Sequence, residues 1–297
     1  MKLVLILVVF GYFQFVAFYF TPEWFYSFSF LGKGTVNITQ SSIFLRVFSL
    51  SSEPVSFGNM LLPAIGFSLA RLTKTVGNEV ITKRFSVSIL LIAFLTFSSV
   101  VFAYILAFST LFIFCSNRVS RLYKVLFIFV VPIFIMAVSQ IDVVKDRYNS
   151  VVNVFFLSEG ITQVDNLSTF AIYSNIFVAK KSLDNDFVFG GGLFSHQKNY
   201  DLYIYDIFPP AYVRMELNKV DASSLYIRLL SETGILGFSL VILFFVSFIF
   251  RGYLNNYLIS NIFLFSVVLL GIRSGTYNYS LVWFYLFAAI YIRRCKL

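Results

Sequence analysis

Uncharged apolar runs long enough to cross a bilayer recur along the chain, and they constrain the fold more than any other feature. Crossing about 30 Å of hydrocarbon takes roughly 20 helical residues. Of the 297 residues, 59% are hydrophobic and 12% are charged, and the mean hydropathy is +0.83, so the bilayer is the expected solvent. We predict an all-α, polytopic bundle of transmembrane helices, with residues 1–297 forming a single membrane domain.

The apolar runs predict about eight spans. These are residues 3–20, 56–70, 86–97, 99–115, 124–140, 222–250, 258–272 and 280–292. The first run is too long for a signal peptide and lacks a small-residue cleavage site, so we interpret it as a retained span. Residues 85–117 carry no charge and are either one long tilted helix or a tight pair that turns near Ser98 and Ser99.

The placement of basic residues favours the pair and predicts the topology. With a pair, the short basic connections, Lys2 and the C-terminal tail share one side, which holds twelve Lys/Arg and the single acid Glu79, against eleven Lys/Arg and thirteen acids opposite. Basic loops face the cytoplasm. We therefore expect a multi-pass plasma-membrane protein with both termini cytoplasmic, and with residues 21–55 and 141–221 outside.

Residues 141–221 are predicted to be a large non-cytoplasmic capping loop, because their many aromatic residues argue against disorder. The run Gly190-Gly191-Gly192 lacks the flanking strand and helix of phosphate-binding glycine motifs and predicts a turn. One histidine and no acidic cluster at ligand spacing predict no metal site. The net charge of +9 is spread over short loops, which argues against a nucleic-acid partner, and the two cysteines predict no disulfide.

No charge lies at the centre of a predicted span, so any chemistry is expected at the outer surface and not along a transport path. There, Asp221 is a predicted N-cap of a helix running without a break to Phe250. Spacings of 3, 4 and 4 put Asp221, Ser224, Arg228 and Glu232 on one stripe of it. A guanidinium at headgroup depth suits a lipid-linked phosphate or diphosphate. The alternative is that Arg228 and Glu232 only neutralise each other.

Other outer residues are weaker candidates. His196 is a general base, a hydrogen-bond donor to phosphate, or a loop histidine without a task. The tyrosines either stack on sugar rings or belong to an interfacial aromatic belt; they are Tyr200, Tyr203, Tyr205, Tyr212 and Tyr226. Further arginines able to join a diphosphate site are Arg46, Arg147, Arg214 and Arg273.

The order of these segments resembles the superfamily of O-antigen polymerases and O-antigen ligases. The resemblance is strongest over residues 188–240, in the Gly190 to His196 segment, in Asn199-Tyr200-Asp201 and in the stretch from Leu217 to Gly237. Arg46 with Glu53-Pro54 resembles the family's first outer-loop element, and residues 95–99 resemble its small-residue helix turn. Members usually have ten or more spans, so this chain is expected to be a shortened form or to lack N-terminal helices.

The resemblance implies a membrane-glycosyltransferase fold in the bacterial inner membrane and a metal-independent reaction, without a cofactor, on undecaprenyl-diphosphate-linked oligosaccharides. It implies that Arg46 and Arg228 hold one diphosphate, with their guanidinium groups within roughly 10 Å, and that His196 lies near the reacting sugar. His196, Glu232 and Asp221 remain alternatives for the base. Expected substrate-binding residues are Arg214, Arg273, Tyr200, Asn218, Ser224 and Glu53.

The function expected from the sequence is polymerisation of lipid-linked repeat units into O-antigen, capsule or exopolysaccharide. The expected partners are the lipid bilayer and, as candidates, the chain-length regulator and flippase of the same pathway. The nearest alternative is an O-antigen ligase that transfers the glycan to a lipid A core. The others are a lipid-linked oligosaccharide flippase or exporter, which would need a charge-lined passage, and a non-catalytic scaffold.

Overall fold

The computed structural model describes residues 2–28, 45–77, 79–115, 119–138, 167–206, 216–251 and 257–294, with the single positions 149 and 152. Regular secondary structure in these residues is helical throughout. The helices are α1 (Lys2–Phe20), α2 (Glu23–Tyr26), α3 (Pro54–Leu72), α4 (Lys83–Phe94), α5 (Ser99–Cys115), α6 (Arg121–Val138), α7 (Leu167–Asn185), α8 (His196–Tyr203), α9 (Leu225–Arg251), α10 (Leu258–Arg273) and α11 (Ser280–Arg294), and a 3₁₀ turn covers Ile204–Asp206.

Each predicted span coincides with one of these helices. Within the described residues, three stretches are long and apolar enough to cross a membrane, namely Lys2–Phe20, Pro54–Leu72 and Leu225–Ser247. Ser99–Phe114 and Leu258–Arg273 are apolar but shorter. The chain is therefore a helical protein with the composition of a membrane protein.

The described part of the uncharged stretch, residues 85–115, is a pair of helices, as the basic residues predicted. α4 ends at Phe94, α5 begins at Ser99, and Phe97 between them has a φ of 44°. Thr96 donates its hydroxyl proton to the Ala93 carbonyl, which satisfies a helix-end acceptor inside a buried turn. α4 has only 12 residues, which corresponds to about 18 Å.

The structure divides into two compact units, residues 1–127 and 128–297. In the first unit, a non-helical segment with Arg46 lies along α1 and is fixed by the buried amide of Gln14. Its Oε1 accepts hydrogen bonds from the backbone N–H of Phe48 at 2.9 Å and of Ser49 at 2.8 Å, and its Nε2 donates to the Tyr26 carbonyl at 3.0 Å. The Ser49 hydroxyl donates to the Leu7 carbonyl.

In the second unit, the predicted capping loop contains two helices. α7 packs against α9 and α8, and the buried residues Phe170, Val178, Tyr200 and Ile204 form a small core between them. The segment predicted as a capping loop therefore contains the helices α7 and α8, which the sequence analysis did not predict. α7 packs on protein and carries Lys180, Lys181 and Asp184 beside its apolar positions. A search for uncharged runs therefore does not find this helix.

Candidate functional site

The prediction of an unbroken helix from Asp221 to Phe250 is wrong in two places, at the start of the helix and at Gly234. α9 begins at Leu225 and is interrupted at Gly234, where φ is 61° and ψ is −165°. A Cβ at Gly234 would meet the carbonyl group of Val188. Only glycine accommodates that backbone and that contact without strain.

The interruption is bridged by the turn that follows α7. In a continuous helix the N–H groups of residues 235 and 236 would donate to the carbonyls of residues 231 and 232. Here the turn supplies a partner for each of these four groups. The bonds run from Ile235 N to Phe187 O at 3.0 Å, Leu236 N to Val188 O at 3.2 Å, Gly191 N to Ser231 O at 3.0 Å and Gly192 N to Glu232 O at 2.8 Å.

The glycine run was correctly predicted to be a turn, and the helix break explains why it contains glycine. Gly190 has a φ of 67°, and a Cβ there would lie 2.5 Å from the Gly234 backbone nitrogen. The two glycines therefore face each other where the turn enters the broken helix. A buried cluster of polar side chains stabilises the helix break: Ser182 donates to the Ser231 carbonyl at 2.8 Å, and Asn199 donates to Ser182 Oγ at 3.0 Å.

Arg228 and Glu232 form a buried ion pair just before the break. The distance from Arg228 Nε to Glu232 Oε1 is 2.8 Å, and the two side chains are 8% and 0% exposed. Glu232 Oε2 also accepts hydrogen bonds from the Tyr277 hydroxyl at 2.8 Å and from the Phe194 backbone N–H at 2.9 Å. The carboxylate is thus satisfied by three donors, which is what a buried charge requires.

The guanidinium of Arg228 is only partly engaged by these residues. Its Nη1 donates to the Gly275 carbonyl at 3.2 Å, and its carbon lies 4.2 Å from the centre of the Tyr277 ring. Nη2 makes no hydrogen bond with the described residues. The predicted alternative of an Arg228–Glu232 pair is therefore real, and the pair leaves one end of the guanidinium able to donate to an anion.

His196, the first residue of α8, is fully buried, and its surroundings assign its tautomer. Its Nε2 lies 2.8 Å from Asn175 Oδ1. The Asn175 amide nitrogen donates to the carbonyls of Ala171 and Leu217, so Oδ1 is the acceptor and Nε2 carries the proton. Nδ1 then has a lone pair and no partner among the described residues. Burial lowers the pKa of His196 from 6.5 to about 4, so the ring is neutral near pH 7.

Asp221 does not belong to the helical stripe. Its carboxylate accepts hydrogen bonds from Asn218 Nδ2 at 2.8 Å and from the Ser223 backbone N–H at 3.2 Å, which closes a turn. Ala222 and Ser223 have φ values of 55° and 61°, and the helix cannot begin before such left-handed residues. Ser224 takes the capping position instead: its carbonyl accepts the Arg228 N–H, and its hydroxyl donates to the Gly271 carbonyl at 3.0 Å.

The remaining predicted site residues are dispersed. Arg273 is half-buried in the last turn of α10. The Tyr200 ring is 1% exposed and cannot present a face to a sugar, whereas Tyr205 is 60% exposed. Arg46 and Glu53 belong to the first unit, so a diphosphate shared by Arg46 and Arg228 stays a prediction. Arg147, Arg214 and Tyr212 lie outside the described residues.

Sequence reasoning missed Tyr277 and Phe194, which contact the Arg228–Glu232 pair, and Asn175, which is hydrogen-bonded to His196. Tyr277 was hidden in a short turn of small and polar residues between α10 and α11. A buried carboxylate needs hydrogen-bond donors, so the need for a hydroxyl group beside Glu232 is the signal that could have pointed to Tyr277. The described residues contain no group of three or more histidine, cysteine or acidic side chains able to hold a metal ion.

Comparison with family models, with characterised proteins and with solved structures finds no match for this chain.

Proposed function

We propose that the protein is a membrane glycosyltransferase that polymerises undecaprenyl-diphosphate-linked oligosaccharide repeat units on the outer face of the bacterial plasma membrane. The observation that carries the proposal is the Arg228 guanidinium, which is buried beside the start of an apolar helix and whose Nη2 has no hydrogen bond to the described residues. A planar cation there suits the oxygens of a diphosphate better than a point charge does.

The reaction transfers the growing glycan from its carrier. A hydroxyl oxygen of the incoming repeat unit attacks the anomeric carbon of the first sugar of the growing chain. The bond from that carbon to the diphosphate oxygen breaks, and undecaprenyl diphosphate leaves with the electron pair. Negative charge grows on the departing oxygen, where Arg228 Nη2 can donate to it. Tyr277 stacks on the guanidinium and, with Glu232, fixes its direction.

The proton of the attacking hydroxyl needs an acceptor, and His196, Glu232 and Asp221 remain alternatives for it. Glu232 is already bonded to three donors, and the Asp221 carboxylate closes its own turn. Nδ1 of His196 carries a lone pair without a partner among the described residues, but the ring is fully buried, so a sugar hydroxyl reaches it only if the residues around it move. Because burial lowers the pKa of His196 to about 4, a reaction that uses His196 as the base would have the acid limb of its rate near that pH and not near 6.5.

The proposal includes the topology of eight spans, with both termini cytoplasmic and residues 141–221 outside. Impermeant maleimide labelling of single cysteines in intact spheroplasts tests it. Gln197 and Lys198 are suitable positions because both side chains are exposed. Gln197→Cys and Lys198→Cys should be labelled without lysis. Labelling that appears only after lysis contradicts the topology.

The function is tested by deleting the gene in the host and restoring the full chain. The glycan of the deletion strain is resolved on a gel and its anchor determined. A lipid A core or carrier with a single repeat unit, corrected to a ladder by the restored gene, supports a polymerase. Polymer that accumulates on undecaprenyl diphosphate identifies a ligase instead. An unchanged ladder with normal anchoring overturns both activities.

A further inference from the structure

The turn that enters the helix break carries a group of exposed apolar side chains, which we call the apolar loop, residues 187–194. No residue in it is charged. Its large side chains are mostly outside the protein: the exposed fractions are 61% for Phe187, 45% for Val188, 65% for Phe189, 68% for Leu193 and 71% for Phe194. Such a contiguous apolar surface on a short segment normally marks an interaction site.

The backbone of the apolar loop is bonded to the apolar half of α9. Ile235 N–H donates to the Phe187 carbonyl at 3.0 Å, and Leu236 N–H donates to the Val188 carbonyl at 3.2 Å. The Phe194 N–H is bonded to Glu232. The loop is therefore held at both of its ends, at the level where α9 resumes after the break.

That level can be placed relative to the bilayer. From Ile235 to Arg251 the helix advances about 24 Å at 1.5 Å per residue, which is less than the ~30 Å of hydrocarbon. A charged Arg251 is expected at the headgroups of one leaflet. Ile235, and with it the apolar loop, then lies at or within the hydrocarbon boundary of the other leaflet.

The apolar loop is also continuous with a face of α9 that suits lipid. Leu236, Leu240 and Leu243 are 45%, 59% and 61% exposed, and their spacing puts them on one side of the helix. Leu236 is bonded directly to the loop. Polar residues flank the loop in sequence, because Asp186 precedes it and Lys198 follows it, and both are exposed.

We propose that the apolar loop inserts into the bilayer beside Ile235, with Phe187, Phe189 and Leu193 among the lipid acyl chains and with Asp186 and Lys198 in the headgroup layer. Insertion would fix the depth of the Arg228–Glu232 pair, since Phe194 bonds to Glu232. The proposal requires only that α9 crosses the membrane. It does not depend on glycan transfer.

Site-directed spin labelling of the full chain tests the insertion. In a Cys115→Ser, Cys295→Ser background, nitroxides are placed by Phe189→Cys and Leu193→Cys, with Lys198→Cys as the matched exposed control. The protein is reconstituted in phosphatidylcholine–phosphatidylglycerol vesicles, and collision rates with oxygen and with a water-soluble nickel complex are measured. Oxygen should exceed nickel severalfold at 189 and 193, and the order should reverse at 198.

Two results would overturn insertion. Nickel collisions at 189 and 193 equal to those at 198 would place the loop in water. Low rates with both reagents would mean that protein covers it, either a second copy or another part of the chain. Phe189→Trp in a Trp24→Phe, Trp283→Phe background gives an independent reading through quenching by brominated lipids. Quenching no stronger than for Lys198→Trp contradicts the proposal.

Discussion

Both units hold a non-helical segment against an apolar helix, and they do so with different chemistry. In the first unit the neutral amide of Gln14 accepts two backbone N–H groups of the segment at 48–49. In the second unit the backbones of the turn and of α9 exchange hydrogen bonds, and a buried ion pair lies beside the exchange. Hydrogen bonds to a neutral amide are sufficient to fix a segment in place, so the charges of the second unit need a further explanation.

The explanation that we propose is binding of an anion. Removing a charge pair from water costs several kcal/mol and is often not repaid in stability. The amide of Gln14 is fully buried without such a cost. The pair in the second unit leaves the Nη2 end of Arg228 without a bond to the described residues, which is an arrangement suited to a ligand. The predictions below test how far the two units differ.

Glu232→Ala should have the largest effect on stability. It leaves the buried guanidinium of Arg228 without its counter-charge and removes the acceptor of Tyr277 and of the Phe194 N–H. We expect a loss of about 3–5 kcal/mol, seen as a lower midpoint of thermal unfolding in detergent. Arg228→Met combined with Glu232→Leu, which removes both charges, should recover part of the loss. A Glu232→Ala protein as stable as the wild type would mean that the pair is not buried.

Gly234→Ala should follow, at about 3 kcal/mol, because it combines a left-handed backbone with a Cβ directed at the Val188 carbonyl. Gly192→Ala is the matched control. Its φ is 95°, but a Cβ there has open space, so only the backbone cost of about 1 kcal/mol is expected. Equal unfolding temperatures for the two variants would remove the argument that the turn is inserted into the helix.

The pH dependence of stability should show the buried His196. Its pKa falls from 6.5 when unfolded to about 4 when folded. Between these values the unfolded chain binds more protons, so this contribution is complete above pH 6.5 and is lost as the pH falls towards 4. It amounts to at most about 3 kcal/mol. His196→Gln should flatten the decline in unfolding temperature over this window, and an unchanged decline would assign it to other groups.

Gln14→Ala should have the smallest effect, a loss of about 2 kcal/mol in the free energy of unfolding. It leaves neutral backbone groups unpaired, whereas Glu232→Ala leaves a charge unpaired. The measurement is thermal unfolding of the purified chain beside Glu232→Ala. If Gln14→Ala lowered the unfolding temperature more than Glu232→Ala does, the distinction between a segment held by neutral groups and one held beside an ion pair would fail.

The sequence predicted the helices well because the apolar runs and the basic loops are local signals. The turn at Ser98 and Ser99 and the boundaries of α1 and α5 followed directly from them. The break at Gly234 could not be predicted, since a single glycine in an apolar run is common in membrane helices. Its cause is a turn some 40 residues earlier in the chain, and such pairing is not visible in local periodicity.

The site was predicted in part for the same reason. Arg228 and Glu232 lie on one helix with the expected spacing, and Ser224 caps that helix, so the proximity of the ion pair needed only the helical repeat. Asp221 was assigned to that helix because aspartate favours N-cap positions, whereas the two left-handed residues after it end any such continuation. Tyr277 and Asn175 come from separate helices or turns, and only the tertiary fold brings Tyr277 to Glu232 and Asn175 to His196.

The most direct test of the account is Arg228→Lys, assayed as the host glycan ladder at equal protein level. Lysine keeps the charge and loses the planar fork, so we predict a loss of about a hundredfold in polymer, the effect of one misplaced charge-stabilising donor. Arg293→Lys is the matched control, because Arg293 also stacks on a tyrosine ring, that of Tyr257 at 4.9 Å. It should leave the ladder unchanged. A wild-type ladder from Arg228→Lys would contradict a role for Arg228 in binding the diphosphate.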